Sequence, residues 1–390
     1  MSEKRLSYLE GLRGLAAIMV FLCHFSYAFY YALFSGDVAE ANMPGQLDTI
    51  IAVSPLNVLY NGKLAVRIFF LLCGYVICIK FFKTGDRKYL VSGAIKRYFR
   101  LLVPILFIEV IAYLLMKVGA YHNGAAAIIS HSQDWFMKFN AEDPNFFIML
   151  KEAFVDTFFG EASVYNNILW IIKFEFLGSL MVYGILYVTG KWKYRHILYI
   201  ILCALCIRNN YVCIFIGMLL SDLMQNKPVW FERLCKNKFI LLISLIFGMF
   251  LATYPAAGEM INLKHTIYAI IPVPMVIIFY VVGSSLLFFV LLNSELLQKF
   301  FSGKILNFLG KYSFGIYLVH FPIIATFSSW FLVSMNGTLN YNGIMIINFV
   351  LTIPLVVIFA ILVTKYIEPF GVRLANGIAD KLLNKYSNRV

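Results

Sequence analysis

About ten runs of predominantly apolar residues recur along the chain, near 12–32, 64–82, 101–119, 166–189, 196–207, 211–225, 239–253, 266–292, 313–333 and 343–366. A helix of roughly twenty such residues crosses a bilayer, because every backbone N–H and C=O in lipid must be satisfied within its own segment. The repetition points to one fold class: an all-α, polytopic helix bundle embedded in a membrane, with residues 1–390 as a single membrane domain. Composition agrees, since only 14% of the residues are charged where a soluble domain carries about a quarter.

Charge sets the expected orientation. With the N-terminus cytoplasmic, an even number of spans returns the C-terminus to the same side. Of the 33 Lys and Arg, all then lie in cytoplasmic segments or at their membrane borders except Lys63, Arg67, Lys117, Lys138, Lys151, Arg208, Lys264 and the intraspan Lys173. That asymmetry follows the positive-inside rule. The net charge of +13 therefore reads as topology, and its spread over five cytoplasmic segments and both tails argues against a nucleic-acid partner. The seven cysteines all fall in spans or on the cytoplasmic side, so no external disulfide framework is expected. The first apolar run is too long for a cleavable signal peptide and lacks a small-residue cleavage pattern.

Ionisable residues inside apolar spans are costly and mark functional sites by default. Here they are His24, Glu109, Lys173, Glu175 and His320. His24 stands eleven residues beyond Arg13 in the first span, which is about 16 Å along a helix and close to three whole turns. The two side chains therefore share a face, with the imidazole near mid-bilayer. Glu175 falls near the middle of the fourth span, and Glu109 and His320 in the cytoplasmic halves of the third and ninth. These groups have blander readings too: a hydrogen-bonded structural histidine, or Glu109 paired with a cation of the cytoplasmic loop. The segment KFFKTGDRKYLVSGAIKRYFRLLVP is the densest basic region, and Lys96, Arg97 and Arg100 occupy one side of a helix. Such a side suits phosphate-binding guanidinium forks or topogenic charge against anionic lipid.

Two outer segments are long, roughly 33–63 and 120–165. In the second, Phe147, Leu150, Phe154 and Phe158 recur at helical spacing and predict a helix on the outer surface, either capping the bundle or walling an acceptor site. Pro272 and Pro274 should kink the eighth span and Pro322 the ninth, breaks tolerated where neighbouring protein or cavity water takes up the freed backbone groups.

Several blocks, in order, resemble the membrane-bound acyltransferase 3 family. YLEGLRGLAAIMVFLCH resembles its opening, an Arg, ten residues and a His in the first helix. RIFFLLCGYVI, IKRYFRLLVP, LWIIKFEFLGSLMVYGI, FLGKYSFGIYLVHFPI and YIEPF resemble later family blocks, together covering residues 8 to 369. Cys73 stands where the family usually has Ser, and Arg67 where an Asp is common. The chain ends about twenty residues past the last span, so the SGNH-type domain fused to some relatives is not expected.

The resemblance implies transfer of an acyl group, most often acetyl from acetyl-CoA as co-substrate, to a hydroxyl of an extracytoplasmic carbohydrate or lipid-linked glycan. It implies no metal, and a bacterial inner membrane. Lys96, Arg97, Arg100 and Arg13 would then meet the CoA phosphates. His24 would act as general base, with Glu175 orienting its ring and Arg13 holding CoA or Glu10. Tyr317 and His320, three residues apart on one helix face, form a reserve pair, with Glu109 a further candidate. The rival reading is a transporter or channel using the same intramembrane charges as a substrate or ion path.

Overall fold

The computed structural model describes residues 7–162, 164–256, 263–270 and 276–387, and among these no strand forms. The apolar runs fold as ten main helices: α1 (Ser7–Phe29), α2 (Gly62–Thr84), α3 (Arg87–Lys117), α4 (Trp170–Thr189), α5 (Arg195–Leu205), α6 (Tyr211–Asn226), α7 (Lys238–Ala252), α8 (Val276–Asn293), α9 (Ser313–Met335) and α10 (Tyr341–Asn384). Among the described residues, seven helices are long and apolar enough to cross a bilayer: α1, α2, α3, α4, α8, α9 and α10. An eighth span is completed if Val229–Lys236 and α7, bent by 73° against each other, count as one. The remaining two are shorter than a bilayer core requires: α5 has 11 residues and α6 has 16, about 16 and 24 Å of helix. The described residues thus give seven spans, or eight with the bent pair, against the expected ten or so.

The bundle is held together where side chains vanish. Gly74 on α2 abuts the carbonyl of Ile214 on α6, and Gly217 on α6 abuts the carbonyl of Leu71; a Cβ on either glycine would overlap that oxygen. Lipid gives no hydrophobic drive between helices, so such close backbone contact is what packing energy there depends on. The same device explains the glycines of EGLRGL. Gly14 faces the backbone of the short helix Lys304–Lys311, whose Gly310 faces the backbone of Glu10 in return. Arg13, between these contacts, is thereby fixed at one end of the bundle. Arg97, Arg100 and Lys311 share that end, termed the basic end below.

The third and eighth spans differ from expectation. α3 begins at Arg87 and runs 31 residues, so Glu109 lies in the half away from the basic end, toward segment 120–166. It is buried, and neither carboxylate oxygen has a partner among the described residues. It pairs with no cation of the basic loop, because the helix starts about fourteen residues earlier than the apolar run. The eighth helix is described from Val276 onward, and 263–270 form turns where the apolar run from 266 predicts helix; the kink expected at Pro272 and Pro274 lies outside the described residues.

The predicted outer helix exists but its stripe does not hold. Phe146–Lys151 continues through a π-turn, Glu152–Asp156, into Thr157–Phe159. A π-turn adds a residue to its turn and rotates everything after it. Phe147 is consequently 78% exposed while Phe158 is fully buried. The helix lies along α3 instead of across the end of the bundle, Phe146 meeting Tyr113 and Phe158 meeting Tyr98, with Phe154 O accepting from the Tyr98 hydroxyl. The end opposite the basic one is covered by the preceding capping segment, where Ser130 Oγ and Ser132 Oγ both donate to the Ala28 carbonyl at the end of α1.

Candidate active site

The centre of the bundle holds two histidines from helices far apart in sequence. His24 Nδ1 lies 2.8 Å from His320 Nε2. The ring planes differ by 17° and the centroids are 5.1 Å apart, which describes an in-plane, edge-to-edge contact in place of a face-on stack. His320 is fully buried, and its Nδ1 stands 3.0 Å from the carbonyl of Ile316, one turn back on α9. His24 is half-buried. Trp135, from the short helix Gln133–Phe136 in the capping segment, lies parallel to it at 5.9 Å, and Phe321 meets it edge-on at 5.7 Å.

The break at Pro322 supports this arrangement. Proline lacks the N–H that would bond the carbonyl of Leu318, four residues earlier. Asn166 fills the gap: its Nδ2 donates to Leu318 O at 3.3 Å. α9 therefore runs on through a π-turn, Ile324–Ser328, to Met335, and His320 sits on the turn that this cross-bond braces.

A cavity of about 730 Å³ opens at the basic end. Its lining carries the exposed Arg100 and Lys311, the half-buried Glu10, Arg13, Phe69, Arg97, Glu175 and Glu368, and the buried Ile171 and Tyr317. Arg13 Nη1 donates to Glu10 Oε1 at 2.8 Å, and Arg97 Nη2 to Glu175 Oε1 at 2.6 Å. Arg97 also approaches Cys73 Sγ at 3.7 Å. Counting Arg13, Arg97, Arg100 and Lys311 against Glu10, Glu175 and Glu368, four cations face three carboxylates, and Arg100 and Lys311 carry no salt bridge among the described residues. Tyr317 closes the inner end, its hydroxyl donating to the carbonyl of Ile168. His320 follows Tyr317 by three residues, so the ring pair begins about one helical turn, roughly 5 Å, beyond the cavity lining.

Seven of the nine residues singled out in the sequence thus sit together or one turn apart: Arg13, Arg97, Arg100, Glu175 and Tyr317 around the cavity, and His320 just beyond Tyr317 against His24. Two do not. Lys96 is absent from the cavity lining, because neighbours on a helix point about 100° apart and Arg97 takes the inward direction. Glu109 lies on the far half of α3. Glu175 is also not where its expected role requires: its carboxylate is bonded to Arg97, and the group touching the His24 ring is His320. Sequence reasoning missed Lys311, Glu368 and Trp135. Glu368 carried a signal in the YIEPF block, whereas Trp135 sits in a loop segment with no periodicity to expose it.

Comparison with known proteins follows the same outline. The model of a family described as an acyltransferase domain matches residues 6–365. Acyltransferase R4 of Phoma sp. (strain ATCC 20986 / MF5453) is 22% identical over 389 residues, covering 82% of this chain and 83% of its own length. Acyltransferase clz18 of Cochliobolus lunatus is 22% identical over 396 residues, with 84% of each chain covered. No solved structure matches.

Proposed function

The chain belongs to the acyltransferase 3 family and is a multi-pass membrane acyltransferase; on that premise we propose that it moves an acyl group, acetyl by the family's usual choice, from acyl-CoA to a hydroxyl of a carbohydrate or lipid-linked glycan on the opposite side of the membrane. The observation that carries the reading is the His24–His320 contact one turn beyond the closed end of a cationic cavity.

The basic end faces the cytoplasm by the positive-inside rule. Acyl-CoA is cytoplasmic and polyanionic, and Arg100, Lys311 and the outward donors of Arg13 meet its phosphates at the mouth. Guanidinium forks suit that task geometrically as well as electrostatically. The thin pantetheine arm extends inward past Arg97 and Glu175, bringing the thioester to Tyr317. The acceptor enters from the other end along Trp135, whose flat face suits the apolar side of a sugar ring. His24 takes the hydroxyl proton as the oxygen attacks the thioester carbon. The new C–O bond forms, the C–S bond breaks, and the thiolate leaves as CoA after recovering the proton from the imidazolium. No metal is required for these steps.

Protein reconstituted in nanodiscs with labelled acetyl-CoA and a panel of alkyl hexosides tests the reading. CoA release should depend on the hexoside, and His24→Ala should lower it by about 10²–10⁴-fold, the usual loss of a positioned base. A normally inserted His24→Ala protein that acylates at the wild-type rate defeats the assignment. Movement of solute without CoA release would mean a transporter instead.

A further inference from the structure

The hydrogen-bond geometry of the two rings fixes more than their proximity. A backbone carbonyl only accepts, so the contact between Ile316 O and His320 Nδ1 requires the proton to sit on Nδ1. A neutral imidazole carries one N–H, so His320 Nε2 is then an acceptor. The 2.8 Å in-plane contact at that nitrogen consequently needs a donor, and the atom there is His24 Nδ1. His24 must hold its own proton on Nδ1, which leaves Nε2 as its lone-pair nitrogen. That nitrogen has no hydrogen-bond partner among the described residues, and the ring that bears it is half-buried.

We propose that His320 is a positioning residue that locks His24 in the Nδ1–H tautomer, so that Nε2 of His24 is the atom that takes the acceptor's proton. The inference rests on the acyl-transfer reading above, but makes a separate claim about which nitrogen reacts and what holds it there. The chain Ile316 C=O, His320, His24 runs one way and ends at a carbonyl that cannot pass a proton on. When His24 Nε2 gains a proton, the Nδ1–H of His24 remains bonded to His320 Nε2, and the positive charge is stabilised by an aligned neutral ring. The proton then has one exit, back through Nε2 to the departing thiolate. In this site a second imidazole does what a carboxylate does in a catalytic triad, orienting the base and choosing its tautomer. Unlike a carboxylate it adds no charge to the apolar interior. The brace from Asn166 to Leu318 O holds the turn that carries His320, and Trp135 lies parallel to the His24 ring.

The direct test is ¹⁵N NMR of the full-length protein in liposomes, labelled at histidine and assigned with the single His24 and His320 variants. Both rings should show the proton on Nδ1 and a bare Nε2. A proton on His24 Nε2 overturns the proposal. Kinetics with acetyl-CoA and an alkyl hexoside supply the second arm. His320→Leu removes the acceptor for His24 Nδ1–H and should cut kcat about 10²-fold, less than the about 10⁴-fold that a wrong tautomer costs a triad whose orienting group is charged. KM for acetyl-CoA should stay within about twofold. His320→Gln, whose amide oxygen can accept from His24, should restore most of kcat. Equal losses in the two variants would mean a packing role only. If the NMR result fails while His24→Ala still abolishes turnover, the base assignment stands and the tautomer lock falls.

Discussion

The Arg97–Glu175 pair decides between two views of the buried carboxylate, and Glu175→Gln separates them. At 2.6 Å and an effective dielectric of about 20, the gross attraction is about 6 kcal/mol. Most of that is returned as desolvation. The side chains keep 18% and 28% of their exposure, between the surface pairs that net about 1 kcal/mol and the buried ones that cost about 3–5 when one partner is removed. About 2 kcal/mol is the consistent value for stranding either charge. Glu175→Gln leaves an oxygen for Arg97 to bond and frees its charge, so the cavity gains one net positive unit. KM for acetyl-CoA should then fall or stay level, with kcat within about threefold. Arg97→Gln does the opposite, stranding the Glu175 charge beside the path of the pantetheine arm, and KM should rise by about 30-fold, the equivalent of those 2 kcal/mol. The assay is steady-state CoA release in nanodiscs, with binding checked separately by calorimetry. A loss of 10² or more in kcat for Glu175→Gln, with KM unchanged, would refute this reasoning and return Glu175 to the role of orienting His24.

Two further outcomes follow from packing and burial. Gly217→Ala sets a methyl against the Leu71 carbonyl and should destabilise the α2–α6 contact by about 1–3 kcal/mol, read as a lower melting temperature in detergent; an unchanged melt would mean those helices are free to separate. Glu152, outside the spans, is buried, and burial pushes its carboxyl upward despite the backbone N–H bonds from Val164 and Tyr165. The folded state therefore binds a proton that the unfolded state has released, so this stability is full below about pH 4.3 and is lost as pH rises through the elevated value. Melting between pH 4 and 7 should fall less steeply in Glu152→Gln than in wild type, and parallel slopes would contradict it.

How far the sequence disclosed this arrangement varies with the kind of signal. Spans were legible because lipid forces their backbone to pair internally, so α1, α2 and α9 follow their apolar runs closely. α3 and α8 slipped because hydropathy measures where lipid begins, whereas a helix ends where caps and turns end it. The Asp86 side chain accepts from Lys88 N and caps α3 at Arg87, about fourteen residues before the apolar run near 101. Arg13 and His24 were legible from spacing on one helix. The partner of His24 was not, since nothing in two segments 296 residues apart states that their rings meet. Likewise, Glu175 and Arg97 were each visible as intramembrane or cavity-facing charge, but their pairing is a property of packed helices.

α10 has 44 residues, about 66 Å of helix, more than twice the depth of the oily layer it enters. Part of it therefore extends beyond that layer, and along its course Gly371 presses against the backbone of Arg100 and Val372 borders the cavity. The helix that crosses the layer is thus also one that walls the cavity, through Glu368 and Val372.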